Sequence, residues 1–301
     1  MVSKTRSFTL PDGVLDFIAG SVAGAGQTAV GQPFDTVKTR LQIEGQSSRF
    51  KGPLDCVLQT IRKEGVLSLY KGMLSPLLGI SAVNAVLFAT YSRLKELQKS
   101  SASDQLKLYQ IALAGGGAGA ANSIIISPVE LLKIRLQGQY GSRSSNIPTG
   151  PSQLARDLCR SQGLRRGLFR GFWATLFREI PANMGFYAGF EAAKRWLAND
   201  QYDANSLPVS RLLLAGACGG ISYWTVCYPM DIIKSRVQFS TSPLRRPLSY
   251  IADTARQIYR EGGLRAFTRG LTPTLLRSLP AAATTFSLYE LSSNYLKQGF
   301  S

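Results

Sequence analysis

The chain has 301 residues, 45 % of them apolar, with a net charge of +17, a pI near 10 and no histidine. The missing imidazole removes a common general base and ordinary zinc sites, and Cys56, Cys159, Cys218 and Cys227 lack metal-ligand spacing, so neither metal nor cofactor is expected. So basic a balance on so apolar a chain leaves two classes: a nucleic-acid binder, or a membrane protein with basic loops.

In chain order, residues 1–13 carry two bases but no apolar core of roughly 7 to 15 residues, and read as neither a secretory signal nor an evident presequence. Phe17 to Phe34 is apolar and long enough to cross about 30 Å as a helix, with Gly20 and Gly24 at small-xxx-small spacing for close helix contact. It ends in Pro33-Phe34-Asp35-Thr36-Val37-Lys38, followed by Arg40 and Gln42. Leu54 to Arg62 has mixed polarity at helical period, and Met73 to Tyr91 is a second apolar run. The same order then recurs. Ile111 to Val129, with Gly115 and Gly119, leads into Pro128-Val129-Glu130-Leu131-Leu132-Lys133, Arg135 and Gln137. Gln153 to Arg160 follows, then Ile180 to Phe190 with Arg178 and Glu179 at its flank. The third pass has Leu212 to Met230 with Gly216 and Gly220, then Pro229-Met230-Asp231-Ile232-Ile233-Lys234, Arg236 and Gln238. Tyr250 to Tyr259 and Leu271 to Tyr289, the latter carrying Arg277, complete it.

The three proline segments start 95 and 101 residues apart, too far for a stacked solenoid unit and right for a triplicated domain with repeats 1–100, 101–202 and 203–301. Six apolar runs, two per repeat, favour the membrane over nucleic acid. The expected fold is an all-α membrane protein with six transmembrane helices in three pseudo-symmetric repeats. Each proline should bend its helix just before a charged turn, so that three bent helices converge. Acid and base three residues apart share a helical face. The acid of one helix can then meet the base of the next: Asp35 with Lys133, Glu130 with Lys234, Asp231 with Lys38. The alternative is that each pair bonds within its own helix. Charges at membrane depth are costly unless paired or wet, which favours the ring. By the same rule Arg178 and Glu179, inside an apolar helix with no partner evident from sequence, are candidates for substrate contact. Gly115 to Gly119 lacks the lysine-serine ending of a phosphate loop, so nucleotide hydrolysis is not expected.

These segments resemble the mitochondrial carrier family over nearly the whole chain. The resemblance extends to a later element of acid, glycine, aromatic, base and glycine, present as Glu64-Gly65 to Tyr70-Lys71-Gly72, Gln162-Gly163 to Phe169-Arg170-Gly171 and Glu261-Gly262 to Arg269-Gly270. Gln162 replaces the acid, and Thr268 stands where an aromatic is usual. The resemblance implies a multi-pass inner-membrane carrier, not an enzyme, that works as a monomer around a central cavity. Short surface helices lie on the matrix side. Its partners are a small-molecule substrate and inner-membrane lipid, with no nucleic acid. Gln42, Gln137 and Gln238 match glutamine braces across the matrix ion pairs. The pairs Lys71-Gly72, Arg170-Gly171 and Arg269-Gly270 match cardiolipin sites, the alternative being solvated basic loops without lipid.

The family's second gate motif is found as Tyr91-Ser92-Arg93-Leu94-Lys95, Phe190-Glu191-Ala192-Ala193-Lys194 and Tyr289-Glu290-Leu291-Ser292-Ser293. Only Glu290 with Lys95 makes a full pair there, so the matrix-open state is expected to be the less stable one. Gly79, Arg178 and Arg277 match the substrate contact level, with Glu179, Asn183 and Asn84 on the same stripe. The Arg178-Glu179 step resembles carriers of basic amino acids, and the related acid-bearing step resembles carnitine/acylcarnitine carriers. Basic amino acid exchange leads, with carnitine esters and neutral or acidic amino acids as alternatives and a proton leak as a remote one.

Overall fold

A computed structural model describes residues 12–44, 49–99, 106–139, 150–198, 207–240 and 248–274, and single residues and pairs between 276 and 295. Three long helices carry the proline segments: α1 (Asp12–Glu44), α4 (Leu108–Gly138) and α7 (Val209–Phe239). Each runs on through its proline. A short helix follows each, namely α2 (Pro53–Glu64), α5 (Pro151–Gly167) and α8 (Ser249–Gly262). Long helices α3 (Leu74–Leu97) and α6 (Phe172–Leu197) close the first two repeats, and the described residues of 271–295 are helical.

The turn into each closing helix is set by a pair of glycines. Gly65 and Gly72, Gly163 and Gly171, and Gly263 and Gly270 all have φ between 60° and 86°, a region that side chains disfavour. The pair recurs in every repeat, so the turn is fixed by sequence. Proline at the first helical position, with its φ already helical, starts α2 and α5.

Each short helix lies over the end of its repeat's proline helix and seals a small core. These cores are Val37, Leu41 and Cys56 in repeat 1, Leu131, Leu136, Leu154 and Leu158 in repeat 2, and Ile232, Val237, Tyr250 and Ile258 in repeat 3. Burying such side chains contributes roughly 1.5–3 kcal/mol each. Elsewhere the pattern is inverted. Buried polar groups such as Gln32, Asn122, Ser127 and Arg178 sit inside, while Val30, Leu113, Ile124, Phe177 and Ile221 are exposed. A polar interior under an apolar exterior suits a chain whose surroundings are lipid. Among the described helices only α4 is by itself long and apolar enough to cross a bilayer, and residues 66–79 with 82–97 meet the same measure only as a pair bent by 50°.

α3 packs on α4, α4 on α6, and α6 on α7, while the C-terminal halves of α1, α4 and α7 meet one another. The last segment closes on α1, where Gly26 lies under Leu288 and Thr284, and Gly31 under Arg277. The glycine spacing noted in the sequence works in one repeat only. A Cβ on Gly115 or Gly119 would lie 2.7 or 2.5 Å from backbone oxygens of α6, but one on Gly20, Gly216 or Gly220 would meet none of the described residues within 4 Å. In repeat 3 the close approach is made one residue away, by Gly219 against Phe186. Spacing alone does not say which side of a helix its neighbour occupies.

Candidate functional site

Where α1, α4 and α7 converge, their charges form a closed ring between helices. Lys133 donates to Asp35 at 2.5 Å, Lys38 lies 2.6 Å from Asp231, and Lys234 pairs with Glu130. Lys38 also sits 4.1 Å above the Trp224 ring, a cation–π contact that adds to its ion pair. Lys234 and Asp231 are 1 % and 3 % exposed, so this ring is buried rather than a surface decoration.

The arginines of the last helices reach down to the same ring. Arg178, 4 % exposed, donates to Glu130 at 2.6 Å and places Nε 3.4 Å from Asp231. It also bonds the neighbouring Glu179 and the Tyr223 hydroxyl. Arg277 donates to Asp35 at 2.5 Å. Thus each ring acid is touched by a lysine and by an arginine from the level above. The sequence reading found no structural partner for Arg178; its partners lie on α4 and α7, far away in sequence. Tyr223 was missed altogether, since nothing in its local sequence marks it.

Glu179 is 2 % exposed and fully used: Arg178 donates to one oxygen and Asn183 Nδ2 to the other at 2.9 Å. The site is held tight by Gly119, over which Glu179 and Asn183 pass at a distance no side chain would allow. Asn84, by contrast, is exposed on α3 and makes no side-chain hydrogen bond among the described residues, and Gly79 packs on Val129. At this level the charge comes from repeats 2 and 3 only.

Below the ring lie two further layers. Of the three glutamines, Gln42 alone bonds a ring acid, donating to Asp231 at 3.1 Å while accepting from Ser235. Gln137 instead bonds Thr36 and Thr39, and Gln238 donates to Thr175. The expectation of three braces across ion pairs is therefore corrected to one. The other two bridge helices through threonine hydroxyls, which are near enough to satisfy the amides first.

Lower still, Arg40 donates to the Gln137 carbonyl, Arg135 to that of Gln238 and Arg236 to that of Gln42, at 2.9–3.1 Å. Each guanidinium caps the negative end of the next helix, a favourable place for a cation. Their recurrence was legible in the sequence, but this role was not. Arg40 also pairs with Glu64 at 3.0 Å and Arg236 with Glu261 at 2.7 Å. Burial pushes the Glu64 carboxyl up, but Lys71 and Arg40 against it prevail and hold it below the ordinary glutamate range.

At the opposite ends of the helices the described residues hold fewer links. Glu191 pairs within α6, with Lys194 at 3.5 Å and Arg195 at 3.0 Å. Lys95 lies 5.3 Å over Tyr91, which stacks on Tyr187. Tyr289 and Glu290 lie outside the described residues. Among the residues proposed for lipid, Lys71 is engaged by Glu64 at 2.5 Å, and Arg170, 5 % exposed, donates to the Val237 carbonyl. The carbonyl of Arg269 accepts from Tyr228. Gly72, Gly171 and Gly270 form the turns described above.

Three tandem units whose proline helices meet in an ion-pair ring define a threefold helical bundle. The family model for the mitochondrial carrier protein matches residues 12–102, 104–201 and 205–300, and the chain belongs to that family. It is similar to mitochondrial substrate carrier family protein S of Dictyostelium discoideum, 41 % identical over 93 % of this chain and 96 % of the relative. The mitochondrial carnitine/acylcarnitine carrier-like protein of Arabidopsis thaliana is 38 % identical over 95 % and 100 %. The mitochondrial basic amino acids transporter of Homo sapiens is 39 % identical over 94 % and 91 %. The chain is thus a multi-pass transporter of the mitochondrial inner membrane, from a family that moves small molecules rather than transforming them.

Proposed function

We propose that this carrier exchanges basic amino acids such as arginine, lysine and ornithine by alternating access. Its six long helices span the membrane, and the proline ends of α1, α4 and α7 face the matrix. The observation that carries the substrate is the buried Glu179 beside Arg178, with Arg277 on the facing side of the bundle. A substrate carboxylate matches an arginine fork, and a substrate ammonium matches Glu179. Dicarboxylates or phosphates would meet repulsion there.

The same contacts supply the coupling. Arg178 and Arg277 are held by Glu130, Asp231 and Asp35, so a carboxylate that takes an arginine displaces a ring acid. One carboxylate replaces another, which keeps the exchange nearly balanced. A displaced ring acid then keeps its lysine but has lost the arginine above it. Binding thereby loosens the ring, and the helices can part towards the matrix.

A second reading, exchange of carnitine esters, is favoured by the Arabidopsis relative's name and by the Tyr223 ring beside Arg178, which offers a face to a quaternary ammonium. Lipid contact at Gly72, Gly171 and Gly270 would use the turn backbone, because Lys71 and Arg170 are already committed inward. The deciding test is counter-exchange in liposomes loaded with arginine, lysine, ornithine, carnitine, glycine or glutamate. Exchange of the dibasic set, abolished by Arg178→Ala, supports the proposal. Exchange of carnitine alone selects the second reading, and proton conductance without exchange defeats both.

A further inference from the structure

The three repeats treat their lowest arginines unequally. In repeat 1, Glu64 sits between Arg40 at 3.0 Å and Lys71 at 2.5 Å, a carboxylate shared by two cations. In repeat 3, Glu261 takes Arg236 at 2.7 Å. The repeat 2 arginine, Arg135, has no carboxylate partner among the described residues. It bonds only carbonyls, those of Gln238 at 3.1 Å and Ser240 at 3.5 Å. The position of the acid is held by Gln162, which is exposed and among the described residues has no hydrogen bond to Arg135, and Ser161 before it turns back to the Asp157 carbonyl. Asp157 is the one acid between 151 and 171, and it is exposed and makes no ion pair among the described residues.

Around that gap the charge is one-sided. Residues 151–171 hold five arginines against one acid, while 53–72 hold three bases and two acids, and 249–270 four and two. Arg170, 5 % exposed, donates Nε to the Val237 carbonyl, one residue from the carbonyl that Arg135 bonds, so both guanidiniums converge on the end of α7. Arg156, Arg160, Arg165 and Arg166 are exposed on α5 and extend the positive field outwards.

We propose that a phosphate-type oxyanion binds here, on Arg135 and beside Arg170, in the place that Glu64 and Glu261 fill in the other repeats. Guanidinium forks match tetrahedral oxyanions as well as carboxylates, and a free anion neutralises what the missing side chain does not. The ligand links α4 to the turn before α6, both already bonded to the end of α7, from outside the substrate path, so it stabilises the closed ring without competing for Arg178. Free phosphate and a phospholipid head group present the same chemistry.

The test uses the full chain, purified in neutral detergent and freed of lipid, with thermal unfolding followed against inorganic phosphate at matched ionic strength in chloride. A site filled about tenfold above its Kd raises the midpoint by about 2–4 °C. Gln162→Glu supplies the missing carboxylate, so it starts with a higher midpoint and loses the phosphate response. Arg135→Gln loses the response too. A second arm replaces phosphate with micelles containing cardiolipin. A rise with cardiolipin but not phosphate, absent in Gln162→Glu, assigns the site to a lipid head group; the reverse assigns it to an aqueous anion. No rise in either arm, or an undiminished rise in Gln162→Glu, overturns the proposal.

Discussion

Replacing Glu179 with glutamine separates charge from shape at the centre of the site. Both carboxylate oxygens are in use, one accepting from Arg178 and one from Asn183 at 2.9 Å. Glutamine has one acceptor and one donor end, so its amide must face either Arg178 or Asn183 as donor against donor. A hydrogen bond to a charged group contributes about 1.5–3 kcal/mol, and the folded state should lose up to that amount. Collapse is not expected, because Arg178 keeps Glu130 and Asp231. Transport should fall further for one class of substrate. The side-chain cation of arginine or lysine loses its counter-charge, which on the same scale lowers kcat/KM about 10- to 100-fold. A zwitterion such as glycine, with no second cation to place, should lose less. Liposome counter-exchange of labelled arginine and glycine, alongside thermal unfolding of the purified variant, reads both effects. If Glu179→Gln loses stability yet exchanges arginine within about threefold of the unmodified carrier, a difference of about 0.7 kcal/mol, Glu179 only positions Arg178 and the substrate argument fails.

Three other outcomes follow from the geometry. Gln42→Ala removes the one glutamine contact to a ring acid and should weaken the closed ring by about 1 kcal/mol, raising labelling of a cysteine placed at the ring; Gln238→Ala should change that labelling less. Gly119→Val should lower the unfolding midpoint and abolish exchange, because its Cβ would sit 2.5 Å from the Glu179 carbonyl, whereas the Cβ of Gly216→Val meets none of the described residues within 4 Å and should leave both unchanged. Glu64 has its carboxyl held below the ordinary range by Lys71 and Arg40 against the push of burial, so its contribution is present above that range and is lost as pH falls through the lowered value. Unfolding measured from neutral to about pH 3 should therefore show an acid limb that Glu64→Gln flattens, and an unchanged limb would remove Glu64 from the account.

Much of this carrier is written locally. The triplication, the six apolar runs, the positive-φ glycines and the proline starts of α2 and α5 depend on residues a few positions apart. Even the ring pairing of Asp35 with Lys133, Glu130 with Lys234 and Asp231 with Lys38 was legible, because threefold repetition turns a local spacing into an arrangement between helices. The glutamine layer shows where that logic stops. Three identical residues at identical positions make different bonds, since Gln137 and Gln238 find threonines from neighbouring helices before they reach an acid.

The sequence by itself determined the unit, its repetition and the charges each unit brings to the axis, because helix period and turn geometry are short-range properties. Tertiary structure decided which unit's charges meet which. Arg178 bridges acids from α4 and α7, Arg277 holds Asp35 from 242 residues away, and Arg135 faces a gap where its two counterparts face a carboxylate. Those partners are chosen by how closely the helices approach, which here rests on Gly119, Gly219 and Gly31, and no spacing within one segment encodes that distance.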